Sequence, residues 1–269
     1  HFFTSEDGKT WTAELFSLAS IQAGVGTLEV DEDGRLHFVW VDSSAKDGWK
    51  AVFYAYSDDE GANWEGPKLI SPPPTFYDDC YAPQLSVDLQ GRVHVAWHVG
   101  NPEEDTIDSD GIISEVFYRR SIDGGETWHL EGTLVAPTTE PPSTYALKLS
   151  LAADGQVIFA YGSHSFRRTE ESFGDGTNEA VLCLSTDAGR TWSEPRQVPM
   201  AGHSLLEISH GVLALESGRL LAPAATRGPD GSGDHPRRRR RGPADDRQGV
   251  PPPIRSRAFG PVYHQARQS

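Results

Sequence analysis

Hydrophobic and polar positions alternate along several short stretches of this chain, and the alternation predicts β-strands. Within one such stretch, Val93, Val95 and Trp97 occupy alternate positions, and the residues between them form a second face. Side chains two residues apart lie on the same face of a strand, so this period is typical of β-structure. One design, a strand, a short turn with glycine and a second strand, recurs in segments 26–42, 83–99, 147–163 and 211–226. The pattern therefore predicts four β-hairpins.

A turn phrase recurs between these hairpins. Its pattern is Ser/Thr-x-Asp-x-Gly-x-Thr-Trp, and its four copies lie at Thr4–Trp11, Ser57–Trp64, Ser121–Trp128 and Ser185–Trp192. The aspartate carboxylate can accept main-chain N–H groups, and glycine supplies a positive φ. We interpret the aspartates as structural turn residues, with Glu6 in that place in the first copy: Asp59, Asp123 and Asp187. Each phrase ends in a tryptophan expected to begin the next strand and pack on the sheet: Trp11, Trp64, Trp128 and Trp192.

Four short antiparallel strands repeated about every 60 residues indicate a β-propeller, whose blades bury their faces by stacking. The turn phrase resembles the Asp box, or BNR repeat, of the sialidase (neuraminidase) superfamily. The resemblance covers residues 1–227. It implies an all-β, six-bladed β-propeller of the sialidase type, present here as a partial propeller of about four blades. We call the strands of a blade A to D, and we use the name Asp box for the turn phrase, which joins C to D.

Antiparallel order places the B–C loops and the D-to-A connections at the end of the blades opposite the Asp boxes. In sialidase-like propellers that end holds the active site. Long loops on a rigid scaffold often carry binding groups, and two B–C loops here, 98–111 and 163–179, are rich in ionisable residues. Loop 98–111 precedes an Asp box as the family's acid/base loop does, which makes Asp108 or Asp110 the acid/base candidate. Glu171 is the catalytic candidate in the second loop.

Sialidases hold the substrate carboxylate with arginines, because a guanidinium pairs bidentately with a carboxylate. The resemblance therefore suggests Arg167, Arg168 and Arg227 as substrate-binding residues. Ala82 stands where the family's first arginine is expected, and no tyrosine matches the family's nucleophile. Two hypotheses stay open. One is an exo-α-sialidase releasing terminal sialic acid from glycoconjugates without a cofactor; the other is a non-catalytic Asp-box propeller that binds glycan or protein.

The composition of the chain argues against several classes of binding partner. The net charge of −15 argues against nucleic acid and anionic membrane surfaces. No apolar run approaches the roughly 20 residues of a membrane helix, so no membrane insertion is expected. No segment has metal-ligand spacing; Cys183 is predicted in a strand core and Cys80 in a loop. A sialylated glycan or other carbohydrate is the expected partner, and a secreted or periplasmic location is expected.

Residues 228–269 differ from the rest. They contain nine Arg, no Lys and four Asp, which makes them +5 and leaves −20 for the other residues. They also lack any alternating run. The segment is expected to be disordered, or to be the product of a high-GC gene translated out of frame; a basic tail for an acidic partner is the third interpretation.

Overall fold

The computed structural model describes residues 2–5, 7–10, 12–14, 24–46, 49–71, 79–101, 112–136, 143–152, 155–166, 178–200, 206–208 and 210–226. All of them lie in the first of two compact units, 1–234. Within these ranges the chain is all-β, as predicted, and it contains no helix that could cross a membrane. The strands are β1 (Phe2–Thr4), β2 (Thr12–Glu14), β3 (Gly26–Val30), β4 (Leu36–Lys46), β5 (Trp49–Ser57), β6 (Glu65–Leu69), β7 (Asp79–Val87), β8 (Val93–Asn101), β9 (Ile112–Ser121), β10 (His129–Val135), β11 (Ser143–Leu151), β12 (Ile158–Phe166), β13 (Asn178–Ser185), β14 (Arg196–Gln197), β15 (Leu206–Glu207), β16 (Leu213–Ala214), β17 (Leu220–Leu221) and β18 (Ala225–Thr226).

Three antiparallel four-stranded sheets repeat one topology. We call them sheet 1 (β3 to β6), sheet 2 (β7 to β10) and sheet 3 (β11 to β14), and in each the strands follow chain order. Two-stranded pieces flank them: β1 with β2, β15 with β18, and β16 with β17. In all three sheets the Asp box joins the third strand to the fourth, as the sequence predicts. The repeated blade is confirmed, and the six-blade count stays a prediction.

Neighbouring sheets pack face to face around their hydrophobic side chains. Val39, Val52 and Tyr54 of sheet 1 cluster with Leu85 and Trp97 of sheet 2, and all are buried. Corresponding clusters join sheet 2 to sheet 3, and sheet 3 to the last hairpin. The first strands of successive sheets contact each other, so β3, β7 and β11 lie side by side. Burial of these apolar faces stabilises the stack.

The Asp boxes form the hydrogen-bonded turns that their residue types predict. In the third copy, Asp123 Oδ1 accepts the Thr127 N–H at 2.8 Å, and the Ser121 hydroxyl donates to the same carboxylate at 2.6 Å. Burial raises the pKa of Asp123, but hydrogen bonds from Ser121 and Thr127 outweigh it and hold the pKa at about 2. Asp59 and Asp187 make equivalent bonds. Each of these carboxylates therefore accepts hydrogen bonds from its own turn.

The first Asp box has a different hydrogen-bond spacing from the others. Asp7 accepts main-chain N–H groups from Lys9 and Thr10 at 2.7 Å each. The Ser5 hydroxyl accepts the N–H three residues later, whereas in the other boxes the serine accepts it four residues later. This turn is therefore one residue shorter. Glu6, which was predicted in the aspartate position, lies outside the described residues.

The tryptophans that end the Asp boxes pack against neighbouring sheets as well as against their own sheet. The Trp128 ring meets Tyr54 of sheet 1 edge-on, with centroids 4.9 Å apart, and Trp192 meets Tyr118 of sheet 2 in the same way at 5.2 Å. Trp64 makes its edge contact with Phe38 within sheet 1, and Trp11 lies outside the described residues. The tryptophans therefore help to set the spacing of adjacent sheets.

Three local predictions need correction. Cys80 lies buried in β7 rather than in a loop, because that strand begins at Asp79, four residues before the predicted hairpin. The last strand of sheet 3 begins at Arg196 rather than at its tryptophan. The hairpin predicted at 211–226 is interrupted into two short pairs, Leu213 with Leu221 and Glu207 with Ala225. The segment 228–269 lies outside the described residues.

The Asp-box serines offer a matched stability test. Ser121 is fully buried, and its hydroxyl also accepts the Gly125 N–H at 2.7 Å. Ser121→Ala leaves a buried N–H without a partner, so we expect it to lower the free energy of unfolding by about 2 kcal/mol in urea titrations. Ser5→Ala removes the same contacts from an exposed turn and is the control. Equal losses in the two variants would contradict burial as the cause.

Candidate functional site

The predicted site residues fall outside the described parts of the chain. This applies to the catalytic candidates Asp108, Asp110 and Glu171 and to the substrate-binding candidates Arg167, Arg168 and Arg227. The strand ends that flank the two loops are described: Asn101 pairs with Ile112, and Ser165 pairs with Asn178. Both loops therefore leave and re-enter the sheets at the end opposite the Asp boxes, which we call the opposite end. The position of the two loops at the opposite end follows from the strand topology, and the roles of the candidate residues stay predictions.

A cluster of Lys50, Asp79 and Tyr81 lies at the opposite end, between sheets 1 and 2. Asp79 Oδ1 accepts the Lys50 main-chain N–H at 2.8 Å, and the Lys50 Nζ lies 3.7 Å from Asp79 Oδ2. The Tyr81 hydroxyl donates to the same Oδ2 at 3.4 Å, and the ammonium lies 4.7 Å from the Tyr81 ring centroid. The lysine side chain is 44% exposed and the aspartate 11%. Solvent therefore reaches the ammonium while the carboxylate is held in place.

Ala82 follows this cluster directly and occupies a break in strand pairing. Its φ is 43°, a left-handed conformation uncommon for a residue with a Cβ. The register of β7 against β8 shifts between Tyr81 and Gln84, and the Gln84 amide donates to the Pro83 carbonyl at 3.0 Å. The position at which the family resemblance expects an arginine is thus a β-bulge with a methyl side chain. The ammonium of Lys50, from sheet 1, lies over the ring of Tyr81, the residue before Ala82.

His98 links the Lys50 cluster to sheet 3. It lies opposite Tyr81 in the β7–β8 pairing, and its Nε2 accepts the Leu147 N–H at 3.2 Å. Burial and the nearby Lys148 ammonium lower the pKa of His98 to about 4. The ring is therefore neutral near pH 7, with its proton on Nδ1. It connects two sheets without adding charge.

Tyr145 and His164 continue the polar groups onto sheet 3. Their rings stack with centroids 4.1 Å apart and planes within 6°, and both residues are buried. Glu179 lies opposite His164 in the β12–β13 pairing. Burial lowers the pKa of His164, and Glu179 opposes that change. Charged and aromatic groups thus extend across three sheets at the opposite end.

A groove of about 340 Å³ lies at the Asp-box end, between sheets 1 and 2. Four charged groups of its lining, Asp31, Arg35, Asp58 and Asp123, already bind one another or the main chain. The Arg35 guanidinium donates to both oxygens of Asp58, at 2.6 and 3.0 Å, and Asp31 and Asp123 accept main-chain N–H groups. These groups are occupied in holding the turns, so we place the candidate site at the opposite end. Among the described residues, no group of three or more His, Cys, Asp or Glu is arranged to hold a metal ion.

No motif in the sequence points to the Lys50 cluster. Its members start two strands of different sheets, 29 residues apart for Lys50 and Asp79, and no spacing rule links such positions. The one usable signal was positional, since Asp79 and Tyr81 fall in the connection 69–82 that the blade topology assigns to the opposite end.

Comparison with known proteins gives a likeness of fold. No protein-family model matches the chain, and no curated protein matches it. Among solved structures, a protein of unknown function from Dyadobacter fermentans is 17% identical, with a TM-score of 0.55 over 77% of this chain and 62% of its own. A polysaccharide lyase of family PL25, an ulvan lyase, is 12% identical, with a TM-score of 0.57 over 83% of this chain and 54% of its own. An α-L-arabinanase from Penicillium chrysogenum is 17% identical, with a TM-score of 0.49 over 83% and 62%.

The two of these structures with TM-scores above 0.5 support a propeller-like, all-β fold and leave the sialidase resemblance unconfirmed. The ulvan lyase, whose activity is stated, is a polysaccharide lyase and not a sialidase. The chain spans 54 to 62% of the length of the three structures. At identities this low the likeness concerns the fold, and function has to be argued from the site.

Proposed function

We propose that this protein binds carbohydrate at the opposite end of its sheets, and that the Lys50 cluster contributes to that binding. The observation that carries the proposal is the fixed geometry of Lys50, Asp79 and Tyr81. Sugar hydroxyls both donate and accept hydrogen bonds, so a carboxylate beside an ammonium suits a pair of them. The similar ulvan lyase was solved with a -[GlcA(1-4)Rha3S]- saccharide bound, which agrees with a carbohydrate ligand.

The catalytic form of this proposal is an exo-α-sialidase acting on terminal sialic acid. Asp108 or Asp110 would act as the acid/base and Glu171 as the second catalytic carboxyl group, while Arg167, Arg168 and Arg227 would hold the substrate carboxylate. Its support is topological, because loops 102–111 and 167–177 connect strand ends at the same end of the sheets as the Lys50 cluster. A secreted or periplasmic location belongs to the same proposal.

The non-catalytic form, a propeller that binds glycan without cleaving it, is favoured by the bulge at Ala82. A methyl side chain occupies the place expected for an arginine, and the adjacent ammonium of Lys50 already pairs with Asp79. A lysine is also a point charge and does not clamp a carboxylate bidentately as arginine does. Release of methylumbelliferone from its sialic acid glycoside separates the two forms. Activity that is lost in Asp108→Asn/Asp110→Asn supports the catalytic one, and no release supports the other.

Lys50→Met tests the location of binding. Wild-type protein is first screened on immobilised sialylated, sulfated uronate–rhamnose and arabinan oligosaccharides, and a bound oligosaccharide is then titrated by calorimetry. Loss of the ammonium removes a charge-assisted hydrogen bond to a sugar hydroxyl, so we expect Kd to rise about tenfold. Lys68→Met is the control, because Lys68 pairs with Glu126 of sheet 2 at 2.8 Å but lies at the Asp-box end. Equal loss in both variants, or no binding by the wild type, would overturn the proposal.

A further inference from the structure

Two buried Asp–His–Tyr hydrogen-bond relays lie at the Asp-box end, and the first of them joins sheet 1 to sheet 2. In the first, His37 Nε2 lies 3.3 Å from Asp31 Oδ2, and His37 Nδ1 lies 2.7 Å from the Tyr54 hydroxyl. That hydroxyl in turn lies 3.2 Å from the Gly124 carbonyl oxygen, in the Asp box of sheet 2. His37 is fully buried, as is Tyr54. The relay therefore runs from one sheet to the next without solvent access to its central groups.

Counting protons shows that this relay has two arrangements. The Asp31 carboxylate only accepts hydrogen bonds, so the neutral His37 ring carries its proton on Nε2 and leaves Nδ1 as an acceptor. The Tyr54 hydroxyl has a single proton, which then goes to His37 Nδ1 rather than to Gly124. A second proton on the ring turns Nδ1 into a donor. The hydroxyl then accepts from His37 and releases its own proton to the Gly124 carbonyl.

We propose that this relay is a proton-controlled latch between sheets 1 and 2, in which protonation of His37 turns the Tyr54 hydroxyl toward the Gly124 carbonyl. In the neutral state the hydroxyl serves its own sheet, and in the charged state it binds the next one. The charged state has one hydrogen bond more across the interface, and the bond from the imidazolium is charge-assisted.

The groups around His37 set the pH range in which the latch operates. Burial lowers the pKa of His37, and the Asp31 carboxylate beside it opposes that change. Other charged or titratable groups around the relay are Arg35, Asp58, Tyr56 and Glu126. Arg35 disfavours the imidazolium and Asp58 favours it, while Lys68 pairs with Glu126. The folded protein therefore takes up this proton below the ordinary histidine range, on the acidic side of about pH 6.5.

The second relay repeats the Asp–His–Tyr part of the first within sheet 2. His94 Nε2 lies 3.1 Å from Asp88 Oδ2, and His94 Nδ1 lies 2.6 Å from the Tyr118 hydroxyl. That hydroxyl packs against Gly189 of the next Asp box, where an added Cβ would come within 1.8 Å of it. The corresponding positions in sheet 3 are all apolar: Ala152, Phe159 and Leu182. Carboxylate, imidazole and hydroxyl are thus present together or absent together, as expected if they act as one unit.

Nuclear magnetic resonance on the whole chain tests the latch. The ring nitrogens of His37 report its protonation, and the Gly124 carbonyl carbon reports the hydrogen bond that it accepts. We expect the Gly124 resonance to titrate with the same midpoint as His37. In Tyr54→Phe we expect that response to vanish and the pKa of His37 to fall by about one unit, because the imidazolium loses its acceptor. Tyr118→Phe is the matched control and changes His94 instead.

Three results would overturn the latch. The first is a Gly124 carbonyl that does not respond while His37 titrates. The second is a rise in the pKa of His37 in Tyr54→Phe, which would mean that the hydroxyl serves the neutral ring more than the charged one. The third is a His37 that stays neutral until the protein unfolds. If Tyr54→Phe does not fold, the wild-type titration of Gly124 decides alone.

Discussion

Gly162→Ala is expected to lower the free energy of unfolding by about 4 kcal/mol, the largest effect of any substitution considered for this chain. Gly162 lies in β12 opposite Leu147 of β11. An added Cβ would stand 1.8 Å from the Ala146 carbonyl oxygen and 2.8 Å from the Leu147 Cα. These are main-chain atoms, so no side-chain rotation relieves the clash and the two strands have to separate. The midpoint and slope of urea unfolding measure the loss.

Gly24→Ala is the control for this substitution. An added Cβ at Gly24 would meet nothing closer than 3.9 Å, which is ordinary contact, and the residue lies beside β3 rather than within a sheet. We expect its unfolding midpoint to match the wild type within error. A Gly162→Ala variant with wild-type stability would mean that β11 and β12 are further apart than described.

Acid is expected to destabilise the protein through His98, and this is the second large effect. The folded-state pKa of about 4 is below the ordinary value of about 6.5. Above pH 6.5 the ring is neutral in both states and adds no pH dependence. Between pH 6.5 and 4 the unfolded chain takes up a proton that the folded protein refuses, so stability falls, by about 3 kcal/mol in total. Below pH 4 the folded state is protonated too, and this contribution levels off.

His98→Gln isolates that contribution. His37, His94 and His164 also have lowered pKa values and add to the acid sensitivity, so the quantity to measure is the difference between variant and wild type at each pH. We expect the variant's pH profile of unfolding free energy to be flatter between pH 6.5 and 4. His129→Gln, at an exposed position, is the control for replacing a histidine by glutamine. Parallel profiles for His98→Gln and the wild type would refute a neutral, buried His98.

The repeated turn and the strand pattern were predictable from the sequence because both are local. An aspartate that accepts N–H groups within four residues acts alone, so the bonds that Asp59, Asp123 and Asp187 make follow from the turn sequence. In the first copy Asp7 makes such bonds, and Glu6, predicted for that place, lies outside the described residues. Cys80 was assigned to a loop because it falls within the predicted connection 69–82, whereas β7 begins one residue earlier, at Asp79.

The site was less predictable because it depends on contacts between sheets. Lys50 and Asp79 start strands of neighbouring sheets, and only the packing of those sheets brings them together. The sequence does contain a signal for the histidine relays, but the alternation of hydrophobic and polar residues does not reveal it. An aspartate six residues before a histidine occurs at Asp31 and again at Asp88, each with a tyrosine three residues before the Asp-box serine. A repeated polar pair at buried strand positions indicates a hydrogen-bonded network.

The packing of a tyrosine hydroxyl against a glycine of the next turn affects how such a chain can gain further sheets. Tyr54 fits against Gly125 and Tyr118 against Gly189, each at the same position of the following turn. The second, third and fourth turns recur every 64 residues. Suppose that a 64-residue unit is duplicated and inserted after sheet 1. The glycine of its turn would pack against the tyrosine of the sheet before it, and its own tyrosine would pack against the glycine of the turn after it. No new contact would be needed. If the same unit were inserted after sheet 3, the glycine of its turn would face Leu182, which has no hydroxyl group to pack against it.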